Sequence, residues 1–259
     1  MSQASKLAKR LTSNQKKFIA EVIGTFIVVV FATGSIVIDA KLGGVLGIPF
    51  IAFAPFIGVA IGVYLFGKIS MAHFNPAVTV GYFITKHITL RQLLNYFAAE
   101  IIGALLGSLF VKYAIGNYAN LGANAPNYNF RILIIFGIEV AASALLMVVI
   151  LLVVYTKGLK GFSGIAIGGI VGLNIFFLSF ISGASMNPAR SLAPALISGS
   201  VGDLWLYWSA TFVGTSLVAF FLRHKFVCCR LSTSVAFTIS PGGKRLISAS
   251  PVFGLSSLP

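Results

Sequence analysis

Acidic side chains are nearly absent, with five Asp and Glu among 259 residues against 19 Lys and Arg. Charge of either sign is scarce, at 9% of residues. A water-soluble domain of this size could not cover itself with so little charge. The two cysteines, Cys228 and Cys229, are adjacent and cannot build a disulfide framework or a zinc site. The three histidines at 73, 87 and 224 are scattered, and no Ser/His/Asp order suggests a hydrolase. No glycine-rich loop follows a strand to cradle a phosphate. These absences argue against an enzyme and against any cofactor or metal. No cleavable signal is expected, because residues 1–17 are polar and basic and the first apolar run is long enough to span a bilayer.

What fills the chain is apolar: 58% hydrophobic residues and a mean hydropathy of +0.97. We read a polytopic, all-α membrane protein whose standing partner is the lipid bilayer. The net charge of +14 sits between the apolar runs, as the positive-inside rule expects, and is not a nucleic-acid footprint. Six spans are expected: Phe18 to Ile38, Phe50 to Gly67, Leu94 to Ala114, Ile132 to Tyr155, Phe162 to Ile181 and Leu204 to Leu222. Basic loops fall at both ends and after spans two and four, which puts both termini in the cytoplasm of a cell-membrane protein. The expected organisation is a tail over 1–17, a membrane domain over 18–225 and a second tail over 226–259. That last tail is rich in Ser, Pro and Gly and is expected to be disordered, with Cys228 and Cys229 as candidate palmitoylation sites.

One tripeptide occurs twice, Asn75-Pro76-Ala77 and Asn187-Pro188-Ala189. Asn is a good helix N-cap and Pro suits the first helical position. Each copy opens an apolar run, Asn75 to Ile84 and Asn187 to Ile197, worth roughly 15 Å at about 1.5 Å per residue. That reaches half-way through a ~30 Å hydrocarbon core. An acid precedes each copy in a span, Glu21 and Glu139. Repeats over 18–115 and 130–225 therefore match in order: a span with an acid, a span, a half-helix, a span. Three spans per half is odd, so the second half enters from the opposite face, and the two half-helices point their N-termini at each other in mid-membrane. Two asparagine amides would meet there, where a passing water would accept both hydrogen bonds and the positive helix ends would repel cations. Glycines at four-residue spacing (Gly58/Gly62, Gly103/Gly107, Gly164/Gly168/Gly172) predict close helix packing. Glu21 and Glu139 admit two readings: ion-binding groups of a proton-coupled carrier, or carboxylates that satisfy the backbone N–H groups of the re-entrant loops.

The segments His73-Phe74-Asn75-Pro76-Ala77-Val78-Thr79 and Ser182-Gly183-Ala184-Ser185-Met186-Asn187-Pro188-Ala189-Arg190-Ser191 resemble the two signature loops of the aquaporin (major intrinsic protein) family. Glu21 to Thr25 is similar to its first helix, and the resemblance covers roughly residues 15–225. The short second signature loop and hydrophilic N-terminus resemble archaeal or bacterial members. The resemblance implies six tilted helices and two half-helices around one pore per subunit, a homotetramer, and passive conduction of water without a cofactor. It implies a narrow filter at Arg190, with further filter positions 20 residues before Asn75 and 12 and 3 before Asn187, which are Pro55, Ile175 and Ala184. Water-strict members carry an aromatic and a His at the first two, so this chain departs from them, and Phe56 next to Pro55 is the alternative aromatic. Leakage of glycerol, ammonia or other small neutral solutes, dissolved gases included, is therefore a second expectation. Ser191 and Ala195 stand where glycerol facilitators carry Asp and Arg, and with Tyr207-Trp208 they resemble the water-type branch. Backbone carbonyls at Met71, Ala72, His73, Gly183, Ala184 and Ser185 are expected to line the path. Met71 replaces the usual Gly and is expected to reshape the inner mouth. Family likeness favours the loop-supporting reading of Glu21 and Glu139.

Overall fold

A computed structural model describes residues 11–156 and 158–234. In chain order the elements are α1 (Ser13–Lys41), α2 (Gly47–Ser70), α3 (Pro76–Ile84), α4 (Leu90–Ala114), a single turn α5 (Ala119–Gly122), α6 (Ile132–Tyr155), α7 (Ser163–Ser182), α8 (Pro188–Ser198) and α9 (Leu204–Ser234). Six of these, α1, α2, α4, α6, α7 and α9, are long and apolar enough to cross a membrane. The two half-helices are α3 and α8, each opened by its asparagine.

Several boundaries differ from those read by hydropathy. Helix α1 begins inside the expected N-terminal tail because Thr12 and Gln15 form a capping box. Thr89 and Gln92 do the same for α4, which starts at Leu90 and not Leu94. Helix α9 runs on to Ser234, into the segment expected to be disordered, because no Gly or Pro interrupts the chain between Gly214 and Pro241. Residues 1–10 and 235–259 and the side chains of Cys228 and Cys229 lie outside the described residues. Pro55 leaves α2 as one uninterrupted helix.

The duplication is physical as well as sequential. Helix α1 packs on α2 and α4, and α6 packs on α7 and α9. Helix α2 meets α7 across the seam between the halves. The half-helices cross that seam: α3 rests on α9, and α8 on α4. The same tight joint recurs in each half. A β-carbon on Gly103 would lie 2.3 Å from the Val22 carbonyl oxygen and 3.0 Å from Thr25 Cβ. One on Gly214 would lie 2.3 Å from the Val140 oxygen and 3.0 Å from Ser143 Cβ. Val22 and Val140 each follow the acid of their span. The expected close contacts at Gly168 and Gly172 seat α7 on the backbone of α2 at Phe56 and Ala52.

Burial is inverted relative to a soluble protein. Glu21, Glu100 and Glu139 are fully buried, while Leu133 and Phe221 are 81% and 74% exposed. Large apolar side chains face outward, as lipid requires, and polar groups are kept for the interior. Replacing Gly214 by Val should therefore lower stability by about 1–3 kcal/mol through overpacking, read as a lower melting temperature in detergent. Gly169→Ala, where nothing lies within 4 Å of the added carbon, should leave the melting temperature unchanged or slightly raised.

Candidate functional site

Each half-helix is preceded by a loop of non-helical backbone in the middle of the protein. Both loops use one conformational pattern. The fourth, third and first residues before each asparagine have positive φ: Met71, Ala72 and Phe74 in one loop, Gly183, Ala184 and Met186 in the other. For the non-glycine residues this is a costly conformation that must be held by the surroundings. Matching partners hold it. The Glu21 carboxylate accepts from the N–H groups of His73 (3.1 Å) and Phe74 (2.7 Å). Glu139 accepts from Ser185 (2.9 Å) and Met186 (3.2 Å). The Tyr96 hydroxyl donates to the Ser70 carbonyl at 2.7 Å, and Tyr207 to that of Ser182 at 2.6 Å.

The loops end on the two asparagines. Asn75 Oδ1 accepts from the N–H of Ala77 (2.9 Å), and Asn187 Oδ1 from that of Ala189 (3.0 Å). Pro76 and Pro188 take the first helical position, and Ala77 and Ala189 are fully buried. With the oxygens committed to capping, the amide nitrogens point across the seam. Asn75 Nδ2 donates to the Met186 carbonyl and Asn187 Nδ2 to that of Phe74, both at 2.8 Å. Each amide carries two hydrogens, and this crossed pair uses one. The other hydrogen of each remains for the central cavity that both asparagines line.

That cavity holds about 60 Å³, and a water needs roughly 10–15 Å³ of such space, so it suits a short file of small molecules. One wall is apolar, with Val28, Val59, Leu146, Ile150 and Val171; the other is loop backbone with Asn75, Asn187 and Arg190. Pro55, Ile175, Ala184 and Arg190 all border it. Phe56 does not: its ring packs on Phe53 and beside Gly168, in the seam with α7. Neighbouring residues on a helix point about 100° apart at 3.6 residues per turn, so only one of the two candidates can face inward. The loop lining is also shifted from the expected set. It runs from Ala72 to Asn75 and from Ala184 to Asn187. The Gly183 carbonyl accepts from Asn124 Nδ2 at 2.9 Å. Met71 lies in a separate cavity with Lys68, Val154 and Ser163, at the helix ends of one face.

Three residues that hold this arrangement were not singled out from the sequence. Arg190 is only 6% exposed, and its Nη1 donates to Asn124 Oδ1 at 2.5 Å. Ser191 Oγ donates to the same oxygen at 3.0 Å. Asn124 belongs to the connection between the repeats. That segment is packed: Leu121 is fully buried, and the left-handed turn from Ala119 to Gly122 brings the backbone against Thr33. Further on, the Tyr128 hydroxyl donates to Asp203, and this bond raises the phenol above its ordinary range. Glu100 is the second such residue. It is fully buried and accepts from the Thr79 hydroxyl at 2.6 Å. An acid inside an apolar span is itself a signal, and Glu100 carried it. Asn124 had none, since several asparagines share its loop. Gly214 repeats the joint of Gly103 but has no partner at four-residue spacing. Among the described residues, no three His, Cys, Asp or Glu side chains cluster to hold a metal ion.

Comparison with known proteins bears on the family and the fold. The model of the family described as major intrinsic protein matches residues 8–222. A probable aquaporin of Arabidopsis thaliana, NIP4-2, is 37% identical over 202 residues, covering 77% of this chain and 70% of the relative. Glycerol uptake facilitator protein-like 6 of Lactiplantibacillus plantarum is 36% identical, covering 80% of this chain and 97% of that protein. The aquaglyceroporin of Plasmodium falciparum has the same fold, with a TM-score of 0.71 at 22% identity over 85% of this chain and 99% of that one.

Replacing Asn124 by Ala should strip the buried Arg190 of its acceptor. A hydrogen bond to a charged group contributes roughly 1.5–3 kcal/mol, and a loss of that size is expected in denaturant unfolding from micelles. Asn127→Ala, on an exposed bond to the Phe180 carbonyl, should cost less.

Proposed function

Since this chain belongs to the major intrinsic protein family, the aquaporins, we propose that its central cavity is the permeation path and that water is its main cargo. The chain is a passive, multi-pass membrane channel and not an enzyme. The observation that carries the water reading is the crossed asparagine pair. It leaves two amide hydrogens, one from each half, for a single small acceptor at the centre of a narrow cavity. A water there accepts twice and cannot readily pass a proton onward. Two helix N-termini and Arg190 add positive potential that excludes cations.

In this reading Pro55, Ile175, Ala184 and Arg190 form the filter, both termini are cytoplasmic in a cell membrane, and the protein works as a homotetramer. Met71 then sits in the inner mouth. Glu21 and Glu139 are structural, since each already accepts two loop N–H groups. That leaves the proton-coupled carrier without its ion-binding acids. One observation supports a second reading, the facilitation of glycerol or other small neutral solutes. The side chains facing the cavity at 55 and 175 are Pro and Ile, neither of which offers a hydrogen bond to narrow the choice to water.

Purified protein in liposomes should speed osmotic shrinkage in stopped flow several-fold over empty vesicles, with no ion current. Shrinkage at the empty-vesicle rate, from protein that is folded by circular dichroism, would defeat the water reading. Glycerol uptake measured in parallel separates the two cargoes, and Ile175→His should suppress glycerol more than water.

A further inference from the structure

A groove of about 900 Å³ opens on the outer surface between the end of α3 and α9. One wall is Phe83 and Ile84 of α3, and the other is Val213, Leu217 and Phe220 of α9. Those three α9 positions are four and three apart, so they share one face of the helix. Lys86 and Arg223 complete the lining. The groove shares no residue with the central cavity.

Its depth follows from the helices. Half-helix α3 has nine residues, roughly 13 Å at about 1.5 Å per residue. It starts at the mid-membrane Asn75, so Lys86 lies near the edge of a ~30 Å hydrocarbon core. On α9, Val213 and Arg223 are ten residues apart, again roughly 15 Å. The groove therefore runs from the headgroup layer to the midplane, the depth of one leaflet. Its cations stand at the shallow end and its apolar walls lie below them.

Local structure fixes both cations. Lys86 has left-handed backbone (φ 59°) just after the C-cap Thr85, where glycine is the usual residue. Its N–H donates to the Phe83 carbonyl at 2.9 Å. The Arg223 guanidinium lies over the Phe220 ring, 4.1 Å from its centre, a cation–π contact that keeps the charge against the apolar wall. No acidic side chain serves this end of the protein. Of the five in the chain, Glu21, Glu100 and Glu139 are fully buried. Asp39 accepts from Leu46 and Gly47 in the turn before α2, and Asp203 from Tyr128 at the opposite end of α9.

We propose that this groove is a binding site for an anionic phospholipid, with an acyl chain along Phe83 and Leu217 and the phosphate at Lys86 and Arg223. A guanidinium presents paired donors that match phosphate oxygens. A zwitterionic phospholipid brings the same phosphate with a cation attached. The anionic headgroup is therefore favoured by about fivefold per basic residue. In the proposed topology this is the cytoplasmic leaflet, which carries anionic lipid. The site requires only that the helices span a membrane, so it stands or falls apart from the water reading.

The test uses the full chain, purified in nonionic detergent and stripped of lipid. Native mass spectrometry compares phosphatidylglycerol with phosphatidylcholine of the same dioleoyl chains. Phosphatidylglycerol should bind about 25-fold more tightly, and Lys86→Gln and Arg223→Gln should each cut that preference about fivefold. The double variant should bind the two lipids equally. Lys68→Gln, another cation at the helix ends of this face, should leave the preference unchanged. Leu217→Trp, which fills the groove from an exposed position without altering charge, should weaken both lipids. Equal binding of the two lipids by the parent protein would overturn the site. An equal drop in Lys68→Gln would reduce it to diffuse attraction, and full displacement by millimolar inorganic phosphate would reduce it to a plain anion site; either result overturns the lipid assignment. A changed oligomeric state in Leu217→Trp, with lipid binding intact, would give the groove to a second copy of the chain instead.

Discussion

A backbone that leaves the helix inside a bilayer must find every hydrogen-bond partner within the protein. That requirement organises this molecule. Glu21 and Glu139 answer it by accepting two loop N–H groups each, and Tyr96 and Tyr207 by donating to the carbonyls where the preceding helices end. A buried carboxylate without such donors would be severely penalised. With them it becomes the fixed point from which each loop is hung. The left-handed residues of both loops persist because these partners over-determine them.

The rest of the architecture keeps the two loops in register. The glycine joints at Gly103 and Gly214 let α4 and α9 lie directly on the backbones that carry Glu21 and Glu139. Since the half-helices pack across the seam, each loop is completed by the opposite repeat. The amides of Asn75 and Asn187 show the consequence, each donating to a carbonyl of the other loop. Neither half could build this centre alone, which is a physical reason for the duplication.

The asymmetry between the halves lies in the polar groups behind the loops. Behind the second loop is Asn124, which takes Arg190 and Ser191 on one oxygen. Behind the first is Glu100, which takes Thr79. One half thus secures a cation at the cavity wall and the other the His73 imidazole. A symmetric scaffold carries two unlike walls.

Much of this was legible before any coordinates. Hydropathy, the order of acids and glycines, and the repeated Asn-Pro-Ala are local signals, and they were enough for the spans, the inverted repeat and the two broken helices meeting at Asn75 and Asn187. Capping boxes at Thr12 and Thr89 were equally local and would have corrected two helix starts. Which of Pro55 and Phe56 faces the cavity was not legible, because one residue turns the side chain through about 100° on a helix and apolar residues suit both the seam and the cavity wall. Nor was the hold of Asn124 on Arg190, which joins residues 66 apart through a strained turn. The chain by itself determined where backbone would break inside the membrane. Only the packed structure decided which distant side chains repair each break, because those bonds depend on the distance between folded elements and leave no periodic trace.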